Sequence, residues 1–358
     1  MTFVDSSRPD AGTRLYVDNE GGEIAPPTPV VVPIESIAST SSEVFVVRTP
    51  FPPDDRSVGY ERGTSVSKSW DEAVTEAAIE TAGYFVRHLE DLSGVRRSAP
   101  ERDARVHELL LKLVERAFRR PLDDADRQLY VDRQIARAPD LDAAVKRIVL
   151  LTLKSPRFLF LELGSRPPDA YAVASRLSFA LWDSLPDAKL LDAAASGRLA
   201  SREGVVSEAE RMLQDPRTRS KVRQFFHRWL GVETVPDLAK DPGRYPRFGP
   251  EIASDLRMSL DLFLDDVIWG QGSDFRRLLL SNELYLNGRL GQYYGFDLPA
   301  GAPFQKLDVE RLERAGVLSH PYLMARFAYT EASSPIHRGV FLVRSVLGRS
   351  LRPPPEAA

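Results

Sequence analysis

Five histidines are the side chains of this chain best suited to acid–base or metal chemistry: His88, His107, His227, His320 and His337. No two stand at the i, i+4 spacing of a helical metal pair and no His-Glu-x-x-His string occurs, so no metal centre is expected. His227, in the aromatic-rich string QFFHRWLG, is the candidate axial ligand for a noncovalent haem, although a lone histidine is more often a packing or surface residue. Adjacent carboxylates occur at Asp54-Asp55, Asp123-Asp124 and Asp265-Asp266. Such neighbours point apart on a helix and usually form solvated faces or N-terminal charges. Asp265 and Asp266 follow an apolar run, where one of them would be partly buried and perturbed. Paired with a histidine, that carboxylate would suit a hydrolase. Ser334-Pro335 is a favoured N-cap and N1 pairing, so His337 and Arg338 fall in a first helical turn, beside free N–H groups that favour an anion. The competing reading is a docking helix with Ile336, Val340, Phe341, Val343 and Leu347 facing inward and Gly348 near its C-cap. No Gly-x-Ser-x-Gly, Walker loop or dinucleotide fingerprint appears.

These residues sit on a predominantly helical pattern. Residues 1–66 differ from the rest, with short β-branched runs between prolines that predict edge strands or an extended segment. From Ser67 the hydrophobic period becomes helical. SKSWDEAVTEAAIETAGYFVRHLEDL places Trp70, Val74, Ala77, Ala78 and Phe85 near one face. The next helix is expected to be capped by Ser98 and ended by Pro121; another is opened by Asp140 or Asp142 and closed at Ser155-Pro156. A second helical set follows residue 166, with a start at Ser201. Its longest member carries an apolar stripe through Ile252, Leu256, Leu260, Phe263, Val267 and Ile268. LYLNGRLGQYYGFDLP reads as a shorter helix ended by Gly295. The expected fold class is mainly α, in multi-helix bundle-like domains behind an extended or small β N-terminal segment.

Composition narrows the function classes. A net charge of −3 over 358 residues offers no whole-chain attraction to nucleic acid. The basic string RTRSKVRQFFHRW belongs to one amphipathic helix, so no nucleic-acid partner is expected. The absence of cysteine excludes disulfides, thiolate metal sites, a cysteine nucleophile and covalent c-type haem attachment. No apolar run approaches the roughly 20 residues of a membrane span. The N-terminal string lacks the basic and apolar regions of a signal peptide.

Several strings together resemble one family. RAFRRPLDDADRQLYV followed by KRIVLLTLKSPRFLF, then ASRLSFALWDSLPDAKLLDAAASGRL, FFHRWLG, LYLNGRLGQYYG and RAGVLSHPYLMARFAYTEASSPIHRGVFLVRSVLGRSLRPPP occur in the order found in secreted cytochrome-like proteins of planctomycetes and myxobacteria. Those proteins are built from domains of unknown function 1595, 1592 and 1588. The resemblance covers roughly residues 50 to 355 and divides the chain into 1–66, 67–165 (similar to 1595 and its preceding segment), 166–300 (similar to 1592) and 301–358 (similar to 1588, with a proline-rich joint). It implies a secreted or periplasmic setting and a c-type haem in a neighbouring cytochrome c domain or partner protein, with no cofactor in this cysteine-free chain. The positions it draws attention to are Trp182, Pro186, Asn287, Pro335, His337, Arg338 and Gly339. It carries no established reaction. The expected functions are a redox-linked, non-haem scaffold beside a cytochrome or, alternatively, a non-catalytic binding or structural module of the cell envelope. The closing haem-motif domain of the family is expected to be missing, as in a diverged or fragmentary gene.

Overall fold

The computed structural model describes residues 45–52, 67–161, 168–232, 238–270, 274–349 and 351. The described residues are about 63% helical, and the one sheet among them has two strands. The mainly α class is therefore as expected. Most of the 1–66 segment, the Asp54-Asp55 pair and the terminal proline run lie outside the described residues. The chain divides into two compact units, with the division between Lys221 and Val222.

The first unit begins with an extended stretch, residues 45–52, laid against α1 (Lys68–Arg87). Glu80 of α1 accepts the backbone N–H groups of Arg48, at 3.0 Å, and Thr49, at 3.3 Å. Phe45 stacks on Tyr84 and Tyr84 on His88, both at 4.3 Å. Ser67 caps α1 through the Trp70 N–H. A short α2 (Leu89–Ser93) leads to α3 (Arg102–Phe118). Its N-cap is Glu101 rather than Ser98, because Arg102 N–H is already turned back onto Ala99 O. It ends at Phe118, before Pro121, with Arg119 in the left-handed region at φ +60°. Then come α4 (Asp124–Arg127), a π turn over Gln128–Asp132 and α5 (Arg133–Ala136). Asp123, one of the paired carboxylates, caps α4. Asp140 opens α6 (Leu141–Leu153), and Ser155 caps the single turn α7 (Pro156–Leu159). Helices α1, α3 and α6 bury Phe85, Val106, Leu110, Val114, Val145 and Ile148 in one core. A second cluster, around Trp182, Leu190 and Met212, joins α8 (Ala170–Trp182), α9 (Ala188–Ala195) and α10 (Arg202–Leu213).

Helix α11 (Pro216–Trp229) contains the division between units. The second unit is organised by α12 (Pro250–Trp269), whose stripe Ile252, Leu256, Leu260, Phe263 and Val267 is buried as its period requires. The single turn α13 (Arg277–Leu280) precedes β1 (Glu283–Leu286). Here the expected helix over LYLN is replaced by a strand. Leu284 and Leu286 alternate inward with period two, and β1 pairs antiparallel with β2 (Gln305–Asp308), Leu284 opposite Leu307. Only α14 (Gly288–Tyr293), capped by Asn287 and followed by Gly295 at φ +71°, remains helical. Gly316 sits at φ +61° with the Leu279 backbone so near that an added Cβ would lie 2.3 Å away, so glycine is required there. His320 opens α15 (Pro321–Arg326) and Ser334 opens α16 (Pro335–Phe341).

The terminal helix departs from expectation. Phe341 alone is buried, stacked on Phe327 at 4.6 Å. Ile336 and Leu347 are 69% and 62% exposed, and Val340 and Val343 half-buried. Anchoring by Phe341 turns the expected inward stripe to solvent. After α16 the backbone widens into a π turn over Leu342–Val346, held by the Trp229 indole N–H on Ser345 O at 2.7 Å. Phe341→Ala is expected to cost about 3 kcal/mol, whereas Ile336→Ser should stay within about 0.5 kcal/mol. Urea unfolding of both variants checks this, and equal losses would put Ile336 in the core after all.

Candidate functional site

The richest polar cluster joins α11, α12 and α15. His227 reaches Asp261 through Nε2 at 2.7 Å, and its Nδ1 faces Arg257 Nη2 at 2.9 Å. A guanidinium only donates, so Nδ1 must be unprotonated and the ring proton sits on Nε2, donated to Asp261. Arg257 also donates to Val232 O and, at 3.4 Å, to Tyr322 Oη. A catalytic His–Asp pair leaves its second nitrogen free to take a proton; here the guanidinium occupies it. For the same reason no nitrogen of His227 remains to ligate haem iron. Nothing in the one-dimensional pattern pairs His227 with α12. The only signal was the i, i+4 spacing of Arg257 and Asp261.

His320 forms a second constellation not foreseen. It is 1% exposed, and its Nδ1 accepts the Tyr322 N–H at 3.2 Å as the cap of α15. Its Nε2 lies 3.4 Å from Ser259 Oγ, itself fully buried. With Nδ1 accepting, the proton of the neutral ring is on Nε2, so the ring cannot draw the proton from Ser259. The pair has the members of a nucleophile–base dyad and the opposite polarity. Burial, with Arg314 adding to it against a partial offset from Asp261, lowers the His320 pKa to about 3. The adjoining cavity, bordered by Glu283, Arg314 and Ser319, measures about 10 Å³, room for a single water.

Asp265 and Asp266 point apart. Asp265 pairs with Arg223, and Asp266 with Arg277 at 2.6 Å and Lys306 at 3.3 Å. Burial would raise the Asp266 carboxyl, but Arg277 and Lys306 outweigh it and hold it below the ordinary range. The expected perturbation is present with the sign of an ion pair, not of a general acid. At the other expected site, the His337 N–H is taken by Ser334 Oγ at 3.2 Å, and Arg338 Nε turns back to Ser334 O. The His337 ring lies 4.9 Å from Tyr329. His337 and Arg338 are neighbours of one cap and do not converge on a common point. Among the described residues no three His, Asp or Glu side chains come together as metal ligands.

Two family models match. Residues 169–296 match a model described as Protein of unknown function (DUF1592), and residues 314–358 one described as Protein of unknown function (DUF1588). The chain carries both segments. No curated protein and no solved structure shows significant similarity to it. The DUF1592 segment spans the division at Lys221, so the matched stretch draws on both compact units. Its signature FALWDSLPDAKLL has structural work throughout. Trp182 is buried, with Arg217 3.7 Å from its ring centre and Arg211 at 5.4 Å. Asp183 in the left-handed region closes α8 and binds Lys221 at 2.9 Å. Pro186 is buried, and Asp187 caps α9 while accepting from Arg211. Asn287 of the same segment caps α14. In the DUF1588 segment Pro335 occupies the first position of α16.

Proposed function

We propose that this chain is a haem-free helical scaffold that works by binding within a secreted or periplasmic, cytochrome-associated redox system, and that its second unit catalyses no reaction. One observation carries the non-catalytic half. Each histidine and carboxylate arrangement that could do chemistry in the second unit is spent internally: His227 through both nitrogens, His320 in a fixed and buried tautomer, Asp266 in a network of ion pairs. The cytochrome association is supported by the ordered resemblance described above, including that of residues 67–165 to domain 1595. Because the chain has no cysteine, any c-type haem of such a system belongs to a partner domain or protein. No described helix is long and apolar enough to cross a membrane.

Amine-reactive crosslinking in intact cells of the native host tests this. The expected product is an adduct of the chain that keeps covalent haem, detected by haem-peroxidase staining after denaturing electrophoresis. Haem-free adducts, in cells whose cytochromes stain normally, would remove the cytochrome association. A reaction turned over by the purified chain and lost in Asp261→Asn would remove the non-catalytic reading.

A further inference from the structure

Ile336, Val340, Val343 and Leu347 recur at i, i+4, i+7 and i+11, the spacing of a helical packing seam. In the fold its two ends are uncovered, 69% and 62% exposed, while Val340 and Val343 are half-buried and Phe341 does the anchoring. The same stretch, residues 334–349, holds Arg338, Arg344 and Arg349 and no carboxylate, in a chain of net charge −3. Arg344 and Arg349 are exposed, and no ion pair joins these three arginines to a carboxylate among the described residues.

We propose that this face is the docking surface for an acidic amphipathic helix of a partner protein; the proposal rests on the binding role inferred above. The apolar seam takes the partner's aliphatic side chains and the flanking arginines take its carboxylates. A second copy of this chain fits poorly, because it would bring the same three arginines and no carboxylate from residues 334–349 to the interface. An anionic lipid surface fits less well too. The exposed face has no aromatic side chain, and between Ile336 and Leu347 the one exposed large apolar residue is Leu342, at 39%, too little apolar depth for an interfacial helix.

Photocrosslinking in the native host, from a photoreactive amino acid in place of Leu347 in the full chain, decides it. The expected adduct maps by mass spectrometry to an acidic, helical stretch of another protein. It is lost when Arg344→Glu is added, while the circular dichroism spectrum and melting midpoint stay unchanged. A lipid adduct, an adduct with a second copy, an adduct indifferent to Arg344→Glu, or none above a control at exposed Met258 would each overturn the proposal. If the amine-reactive experiment still gives a haem-bearing adduct while position 347 gives none, the scaffold role stands and this face is the wrong one. If both fail, the binding role fails with it.

Discussion

Trp182→Ala is expected to destabilise the first unit by about 4 to 5 kcal/mol, the largest single effect among the residues described. The indole is 4% exposed in the cluster with Leu190 and Met212. Its Nε1–H donates to Met212 O at 3.0 Å, an acceptor it shares with Thr218 Oγ1. Removing the ring leaves a cavity and strips Arg217 of the surface it lies on. Arg217 is locked in place by Asp215, at 2.8 Å, so it cannot collapse into the gap without giving up that pair. Trp182→Phe keeps an aromatic face and should recover at least half of the loss. Urea unfolding followed by far-ultraviolet circular dichroism reads both variants. A cost below about 1 kcal/mol for the alanine variant would mean that the cluster repacks and that the signature tryptophan serves something other than stability.

Acid should unfold the second unit through His320. Its folded pKa, about 3, lies below the roughly 6.5 of an unfolded histidine. Between those values the unfolded chain binds the proton and the fold does not, so stability falls as pH falls. The contribution of the neutral ring is complete above pH about 6.5 and is lost at about 1.4 kcal/mol per pH unit below it. Protonation would force Nδ1 to give up the Tyr322 N–H and would place a second cation near Arg314. Carboxylates titrate in the same window, so the informative quantity is the difference between the protein and His320→Asn. Asparagine keeps an N-cap acceptor and cannot be protonated. The variant should be less stable at pH 7, where its smaller side chain leaves space, and should show a flatter slope between pH 6.5 and 4.5. Parallel slopes would show that the ring gains solvent, and its proton, without unfolding.

What could be read from the one-dimensional pattern, and what could not, follows the range of the interactions. The caps were legible because each is a contact over two to four residues: Asp140 with Ala143 N–H, Ser201 with Gly204 N–H, Ser334 with His337 N–H. The α12 stripe was legible because a long helix repeats its signal over five turns. The Glu283–Leu286 strand was not, since four residues of period two are easily overruled by the helical run that follows. The terminal helix shows the limit most clearly. Its seam was found with the right spacing, but spacing cannot say whether the fold supplies a partner for it. The polar sites depended on pairings across 34 residues, His227 with Asp261, and 61 residues, His320 with Ser259, that no local rule connects. Their tautomers follow only from which backbone or guanidinium group each ring meets.

Arg119, at the left-handed end of α3, has a consequence for ionic strength. It is 5% exposed and donates to four carbonyl oxygens, of Ala117, Arg157, Phe158 and Phe160. Its charge is balanced by dipoles and not by a counter-ion. Dissolved salt competes with carboxylates at exposed pairs such as Arg97–Asp142, where the arginine is 67% exposed, but it has no charge to compete with at a buried guanidinium held by neutral peptide carbonyls. The seam between the end of α3 and the turn at α7 should therefore hold in brine as it does in fresh water, while the surface ion pairs around it loosen. In the secreted or periplasmic setting proposed above, that joint would keep its geometry as the ions of the surrounding medium change.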